Sequence, residues 1–304
     1  MTDNLCFLNG EFMPISEARI PVLDRGFIFG DGIYEVVPVY GGRLFRFDEH
    51  LARLNRSLAK LRIPQPATRD EWLGRCRQLV AARPEDDQVV YIQVTRGVAP
   101  RDHVMPAHPV PTVFMMSNPL KAASAEQRHQ GVACTTARDF RWERGDIKST
   151  SLLGNVLARQ MSADHGAIET IMFRDGHLTE AAACNVWVVH EGALLGPPKS
   201  EHVLEGIRYD LIRELCEEEG IAYNLRPIAE ADVFSADELL LSSATKELLP
   251  VTTLDSQPVG HGRCAASPGR CTRACMRPTS APRPRSRSER PRLRHARPPP
   301  SSSA

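Results

Sequence analysis

Alternation of apolar and polar positions opens the chain. Residues 5–12 read as strand, turn, strand, with Asn9-Gly10 supplying a tight hairpin turn. Further on, residues 33–40 (IYEVVPVY) form an apolar, β-rich run of strand length, the mark of a buried strand. Tyr40-Gly41-Gly42 turns into a short strand over 43–46. Asp48 is then placed to cap a helix whose apolar stripe is Leu51, Leu54, Leu58 and Leu61. A second helix over about 70–82 and strands over 89–95 and 113–116 complete the first half.

Residues 119–130 are polar and alanine-rich and read as a linker. Beyond it, Leu152, Leu153, Val156, Leu157 and Met161 recur at helical spacing. A strand over 167–173 meets the turn Asp175-Gly176 and returns through Leu178-Thr179 to Glu180. The run TEAAACNVWVV then leads into a buried strand. A helix opens at Gly206-Ile207-Arg208 and runs to about residue 219, and a strand starting at 239 breaks into Ser242, Ser243 and Thr245. The pattern predicts an α/β (α+β) protein with an N-terminal α/β domain over 1–118, the linker 119–130, and a C-terminal domain over 131–262.

Charge changes the picture at one end. From Arg263 onward the chain carries eleven Arg against Glu289, a net +10, so the preceding residues carry −9. An acidic body argues against nucleic acid as a partner. The segment 263–304 is almost free of aliphatic residues, cannot bury a core, and reads as disordered. Its composition is that of a GC-rich gene read out of frame. No apolar run approaches the roughly 20 residues that span a bilayer, and the N-terminus lacks a basic-then-apolar signal. The eight cysteines lack the paired spacing of a zinc site, which leaves no metal expected. Reduced thiols suit a cytoplasmic protein.

Candidate chemistry centres on residues 141–155 (RWERGDIKSTSLLGN). The chain holds five lysines. Lys60 lies on a polar helix face, Lys121 in the linker and Lys199 beside two prolines. Lys148 and Lys246 stand among small polar residues. A lysine fixed by the start of a helix and desolvated in a cleft has a lowered pKa, and its free amine attacks a carbonyl to form a Schiff base. Arg101 and His103 lie two apart in the loop 96–109, placed to meet one carboxylate, which the Arg fork matches bidentately. Arg53 projects from one edge of its helix within reach of an anion. Locally, Tyr34 reads as a half-buried strand aromatic and Glu180 as a hairpin carboxylate. The helix start at Gly206-Ile207-Arg208 and the Ser242, Ser243 and Thr245 cluster are both candidate phosphate cradles. Gly30-Asp31-Gly32 is no dinucleotide fingerprint, because no helix follows it.

In this order, DRGFIFGDGIYEVV, EHLARL, VTRGVAPRDH, FRWERGDIKSTSLLGN, LTEAAACNVW, VLEGIRYD and SSATKELLPV resemble the motifs of the fold-type IV pyridoxal-phosphate aminotransferases, over about residues 3–262. The likeness is greatest to the members that act on D-amino acids. Branched-chain L-aminotransferases and aminodeoxychorismate lyases share the cofactor motifs but typically lack the R-x-H loop. The resemblance implies two domains with pyridoxal 5'-phosphate in the cleft between them, a homodimer, and amino acids and 2-oxo acids as substrates. It implies Lys148 as Schiff-base lysine and proton carrier, and Glu180 as partner of the ring nitrogen. Arg53 would hold the phosphate with backbone at Ile207 and Arg208 and the turn at Ala244 and Thr245. Tyr34, Arg101 and His103 would hold the substrate carboxylate. The chain departs from the family where Ala182, Ala183 and Cys184 replace a serine run, where Arg208 and Ala244 replace threonines, and where the tail replaces a terminal helix. The changes at Arg208 and Ala244 point to weakened or rewired phosphate binding.

Overall fold

The computed structural model describes residues 4–260, so the expectations for the tail from residue 263 lie outside the described residues. The first half runs β1 (Leu5–Leu8), β2 (Glu11–Pro14), α1 (Arg25–Phe29), β3 (Gly32–Tyr40), β4 (Arg43–Leu44), α2 (Phe47–Lys60), α3 (Arg69–Ala81), β5 (Gln88–Thr95) and β6 (Thr112–Pro119). Among the described residues these strands form one six-stranded sheet, β2-β1-β6-β5-β3-β4, with antiparallel neighbours. The apolar stripe of α2 (Leu51, Leu54, Leu58) and Trp72, Cys76 and Leu79 of α3 bury against Ile33, Val37, Val90, Ile92 and Met115. Truncating a leucine in such a layer costs about 2–5 kcal/mol.

Two local expectations need correction. Asp48 does not cap α2. Its N-cap is Arg46, in the left-handed region and without a side-chain cap bond. Asp48 sits in the first turn, where an acidic group suits the helix dipole, and pairs with Arg69 at 2.7 Å. The segment read as a linker also carries a helix, α4 (Ala125–Gln130), started by a capping box between Ser124 and Gln127.

The second half runs β7 (Val132–Arg138), α5 (Leu153–Asp164), β8 (Glu169–Arg174), β9 (His177–Ala181), β10 (Asn185–His190), β11 (Ala193–Gly196), α6 (Tyr209–Glu219), β12 (Tyr223–Leu225), α7 (Glu230–Phe234), β13 (Glu238–Ser243), β14 (Glu247–Leu254) and β15 (Gln257–Pro258). Its nine-stranded sheet has the order β12-β11-β10-β13-β14-β7-β8-β9, with β15 beside β14. Ile171, Val186, Val188, Leu239, Leu241 and Val251 build its core. Most neighbours are antiparallel, but β7 runs parallel to both β8 and β14, and β11 runs parallel to β12. The consecutive parallel pairs β7–β8 and β11–β12 need crossover connections. Those crossovers are the chain through α5 and the chain through α6. The loops leaving the carboxyl ends of β7 and β11 hold Lys148 and Gly206 to Arg208.

Candidate active site

Lys148 is held by a strand-like pairing, and not by the start of a helix. Its carbonyl accepts from Tyr34 N–H (2.9 Å), Thr150 N–H donates to Gly32 O (2.9 Å), and Ile33 bridges Ser149. Thr150 and Ser151 hydroxyls both donate to Gly30 O, at 2.9 and 3.0 Å. Gly30 has φ +66°, and a Cβ there would lie 2.7 Å from Ser151 Oγ while one on Gly32 would lie 3.2 Å from Thr150 Oγ1, so these two glycines permit the close approach. The consequence is placement: Lys148 Nζ lies 4.1 Å from the centroid of the Tyr34 ring. Helix α5 begins only at Leu153. Its apolar stripe is not core, because Leu153, Val156, Leu157 and Met161 are exposed, while Ala158 and Ser162 face inward.

Lys148 and Tyr34 line a cleft of about 560 Å³ together with Arg53, Glu180, Ile207, Arg208 and Ala244. At one end, Glu180 leaves β9 buried. Its Oε2 accepts from Leu204 N–H (3.2 Å) and Asn185 Nδ2 (3.3 Å), and its Oε1 from Arg141 Nη1 at 2.5 Å. Arg141 is braced in turn by Asp139, at 2.8 Å. Burial pushes the Glu180 carboxyl above its ordinary value, against the pull of the Arg141 guanidinium and the Leu204 N–H. A cationic ring nitrogen at that carboxylate would add to the pull of Arg141. Gly206 seals this corner, since a Cβ there would fall 1.9 Å from Asn185 Oδ1.

The other end is built on Arg53 of α2. Its Nε and Nη2 fork onto Glu35 of β3 at 2.7 and 2.8 Å, and its Nη1 donates to Glu205 O at 3.0 Å. His50, one turn earlier, places Nδ1 2.7 Å from the same carboxylate. All three side chains are buried. Burial alone would raise the Glu35 carboxyl, but the Arg53 guanidinium and the His50 ring override it and hold it well below the usual range. Burial lowers the His50 pKa against the pull of Glu35, so the ring is neutral near pH 7. Close by, Ile207 and Arg208 lead into the N-terminus of α6, where backbone N–H groups are free of helix partners.

The structure does not bring every expected residue together. Thr245 stays out of the cleft lining and sits in the turn after Ala244. Arg101 and His103 are exposed and lie against Phe29, with 5.5 Å from the Arg101 guanidinium carbon and 5.4 Å from the His103 ring to its centroid. Buried Arg25 ties their loop to the body by donating to Asp102 O and to Asp31. Sequence reading missed Glu35, Arg141, Asn185 and Arg25. Each is a charged or amide residue, on strand β3 or β10, in a loop or, for Arg25, at the start of α1, and only its partner marks it.

A pyridine ring bearing a formyl group and a phosphate fits this cleft. The amine of Lys148, the buried carboxylate of Glu180 and the helix N-terminus beside Arg208 are the donor set it requires. Buried Nη1 of Arg208 has no hydrogen-bond partner among the described residues. Comparison with known proteins points the same way. A family model described as amino-transferase class IV matches residues 32–254. The D-alanine aminotransferase of Bacillus licheniformis is 39% identical over 254 residues, covering 84% of this chain and 89% of its own length. That of Staphylococcus haemolyticus is 36% identical over 257 residues, with 84% and 91% covered. Among solved structures, the branched-chain amino acid aminotransferase of Escherichia coli superposes with TM-score 0.81 at 25% identity over 90% of this chain and 92% of its own. The T.th. branched-chain enzyme with pyridoxamine 5'-phosphate gives TM-score 0.83 at 20% identity, covering 91% and 94%.

Proposed function

The chain belongs to the class IV aminotransferases, and we propose that its cleft transaminates D-amino acids with pyridoxal 5'-phosphate, taking D-alanine and 2-oxoglutarate to pyruvate and D-glutamate. The observation that carries the assignment is the convergence of Lys148, Glu180 and Arg53 on one cleft beside the N-terminus of α6. When bound, the cofactor supplies an electron sink for the α-carbon of the amino acid. Lys148 Nζ anchors the cofactor, then takes the α-proton and delivers it. Glu180 keeps the ring nitrogen protonated, while Asp139 holds Arg141 so that the carboxylate stays oriented. Arg53 and backbone N–H groups at Ile207, Arg208 and Ala244 bind the phosphate. Tyr34 faces the substrate next to the amine. Release of one oxo acid before entry of the next makes the kinetics ping-pong.

Arg101 and His103 complete the reading as part of a homodimer. They lie off the cleft of their own chain, and Phe27 of α1 and Val98, Val104, Met105 and Val110 of the same stretch of chain are exposed. Contiguous exposed apolar surface marks an interaction site. A second copy packed on that face carries the loop 96–109 toward the neighbouring cleft, where the Arg fork meets the substrate carboxylate. The same reading places the enzyme in the cytoplasm, with amino acids and 2-oxo acids as its partners, and its acidic body away from nucleic acid.

Borohydride reduction tests the assignment. The holoenzyme should carry reduced cofactor on the peptide containing Lys148. Label on Lys246 would overturn it. Lys246 is instead paired with buried Glu169 and lies 3.6 Å from Cys184 Sγ.

A further inference from the structure

The cations around the cleft are not equivalent. Arg53 is neutralised by Glu35, Arg141 by Glu180 and Asp139, and Lys246 by Glu169. Lys148 and Arg159 also line the cleft without an ion pair among the described residues but are half-exposed, whereas Arg208 is buried. It is only 1% exposed, and no carboxylate among the described residues lies within ion-pair distance of it. Its Nε donates to Ser243 O at 2.7 Å, and its Nη2 to Ala244 O at 3.1 Å and to Tyr40 OH at 3.2 Å. The Phe45 ring centroid lies 5.2 Å from its guanidinium carbon. Nη1 has no partner among the described residues. The nearby Glu247 is bound by Arg128 at 2.6 Å; it attracts Arg208 through space but forms no ion pair with it.

A buried guanidinium without a counter-charge is costly. It is retained at the junction of two cleft-lining segments, Gly206 to Arg208 and Ser243 to Ala244. By taking both carbonyl oxygens of the Ser243–Ala244 segment, it locks that turn against the start of α6. Its charge reaches the cleft through a medium of low polarity, where Coulomb attraction is stronger than in water.

We propose that Arg208 is the positioning residue for the cofactor's phosphate: its side chain clamps the two phosphate-facing segments together and supplies a buried positive charge, held in no ion pair, for the dianion to meet. The proposal rests on the reading of the cleft as a pyridoxal-phosphate site and adds to it a role for the Arg208 side chain. Arg53 meets the phosphate with its charge already paired to Glu35, and Arg208 adds a buried charge that is in no ion pair.

The test is ligand binding to the full chain stripped of cofactor, followed by fluorescence quenching of Trp142, a residue of the cleft lining. Arg208→Met should bind pyridoxal 5'-phosphate about ten- to a hundredfold more weakly, the range for a charged hydrogen-bond partner. It should bind pyridoxal, which lacks the phosphate, as the parent does. Arg208→Lys, which keeps the charge without the fork, should fall between. Inorganic phosphate should raise the melting temperature of the stripped parent and not that of Arg208→Met. Equal loss for both ligands would show a merely structural residue, and unchanged affinity for the phosphorylated one would also overturn the proposal. Should Arg208→Met fail to fold, the phosphate shift of the parent and its decrease in Arg208→Lys decide, and absence of either overturns the proposal. A parent chain that does not bind pyridoxal 5'-phosphate at all would instead remove the functional reading beneath it.

Discussion

The cleft and the loop 96–109, to which our reading gives the two halves of one reaction, are built in opposite ways. The charged cleft residues Arg53 and Glu180 are buried, Lys148 and Tyr34 half-buried, and partners within the chain brace the arginines, as Glu35 braces Arg53 and Asp139 braces Arg141. Loop residues Arg101 and His103 are exposed, and within the described residues they touch Phe29 and not the cleft. One chain brings Lys148, Glu180 and Arg53 to one cleft, whereas our reading gives recognition of the substrate carboxylate to a second copy.

Lys148→Ala breaks the cleft half most completely. Turnover should fall at least ~10³-fold, because nucleophile and proton carrier vanish together, and stopped-flow measurement of the half-reaction checks it. Arg101→Leu breaks the other half. It should raise KM for D-alanine about ten- to a hundredfold with a smaller change in kcat, since a charge-assisted carboxylate contact is worth about 1.5–3 kcal/mol. Co-expressing the two variants sharpens the contrast. If Arg101 serves the neighbouring cleft, mixed dimers recover activity at low D-alanine that neither variant shows alone. If it serves its own cleft, no recovery occurs.

Acid should weaken the cleft itself by smaller steps. His50 has a lowered folded pKa, so the unfolded ring binds a proton first as pH falls below 6.5. Glu35 is likewise held below its ordinary 4.5, so its contribution is present above that pH and lost below it. Each proton taken up on unfolding costs about 1.4 kcal/mol of stability per pH unit. Melting temperatures should decline from pH 6.5 and more steeply below 4.5, and Glu35→Gln should flatten the lower stage.

Much of this was legible in the residues. Asn9-Gly10, the stripe of α2 and the run of β3 gave their elements away through period and turn chemistry. Lys148 was legible through its setting among few lysines, but its fixing was not. Pairing with Gly32 and Tyr34 joins residues more than a hundred positions apart, which no local period encodes. For the same reason Arg141 and Glu35 went unseen. Strand β7 (VACTTAR) was missed because nearly all of its positions are small or polar, and it is defined by β8 and β14 on either side. The exposed stripe of α5 shows the opposite error: helical spacing of apolar residues identified the helix but not what its apolar side faces.

One measurement bears most directly on the central claim that this cleft transaminates D-amino acids. The purified holoenzyme is mixed in separate experiments with D-alanine and with L-leucine, without an oxo acid, and the cofactor's absorbance is followed. D-alanine should convert the yellow form to the amine form with stoichiometric release of pyruvate, while L-leucine leaves the spectrum unchanged. Equal or faster conversion by L-leucine would contradict the account and move the enzyme to the branched-chain group.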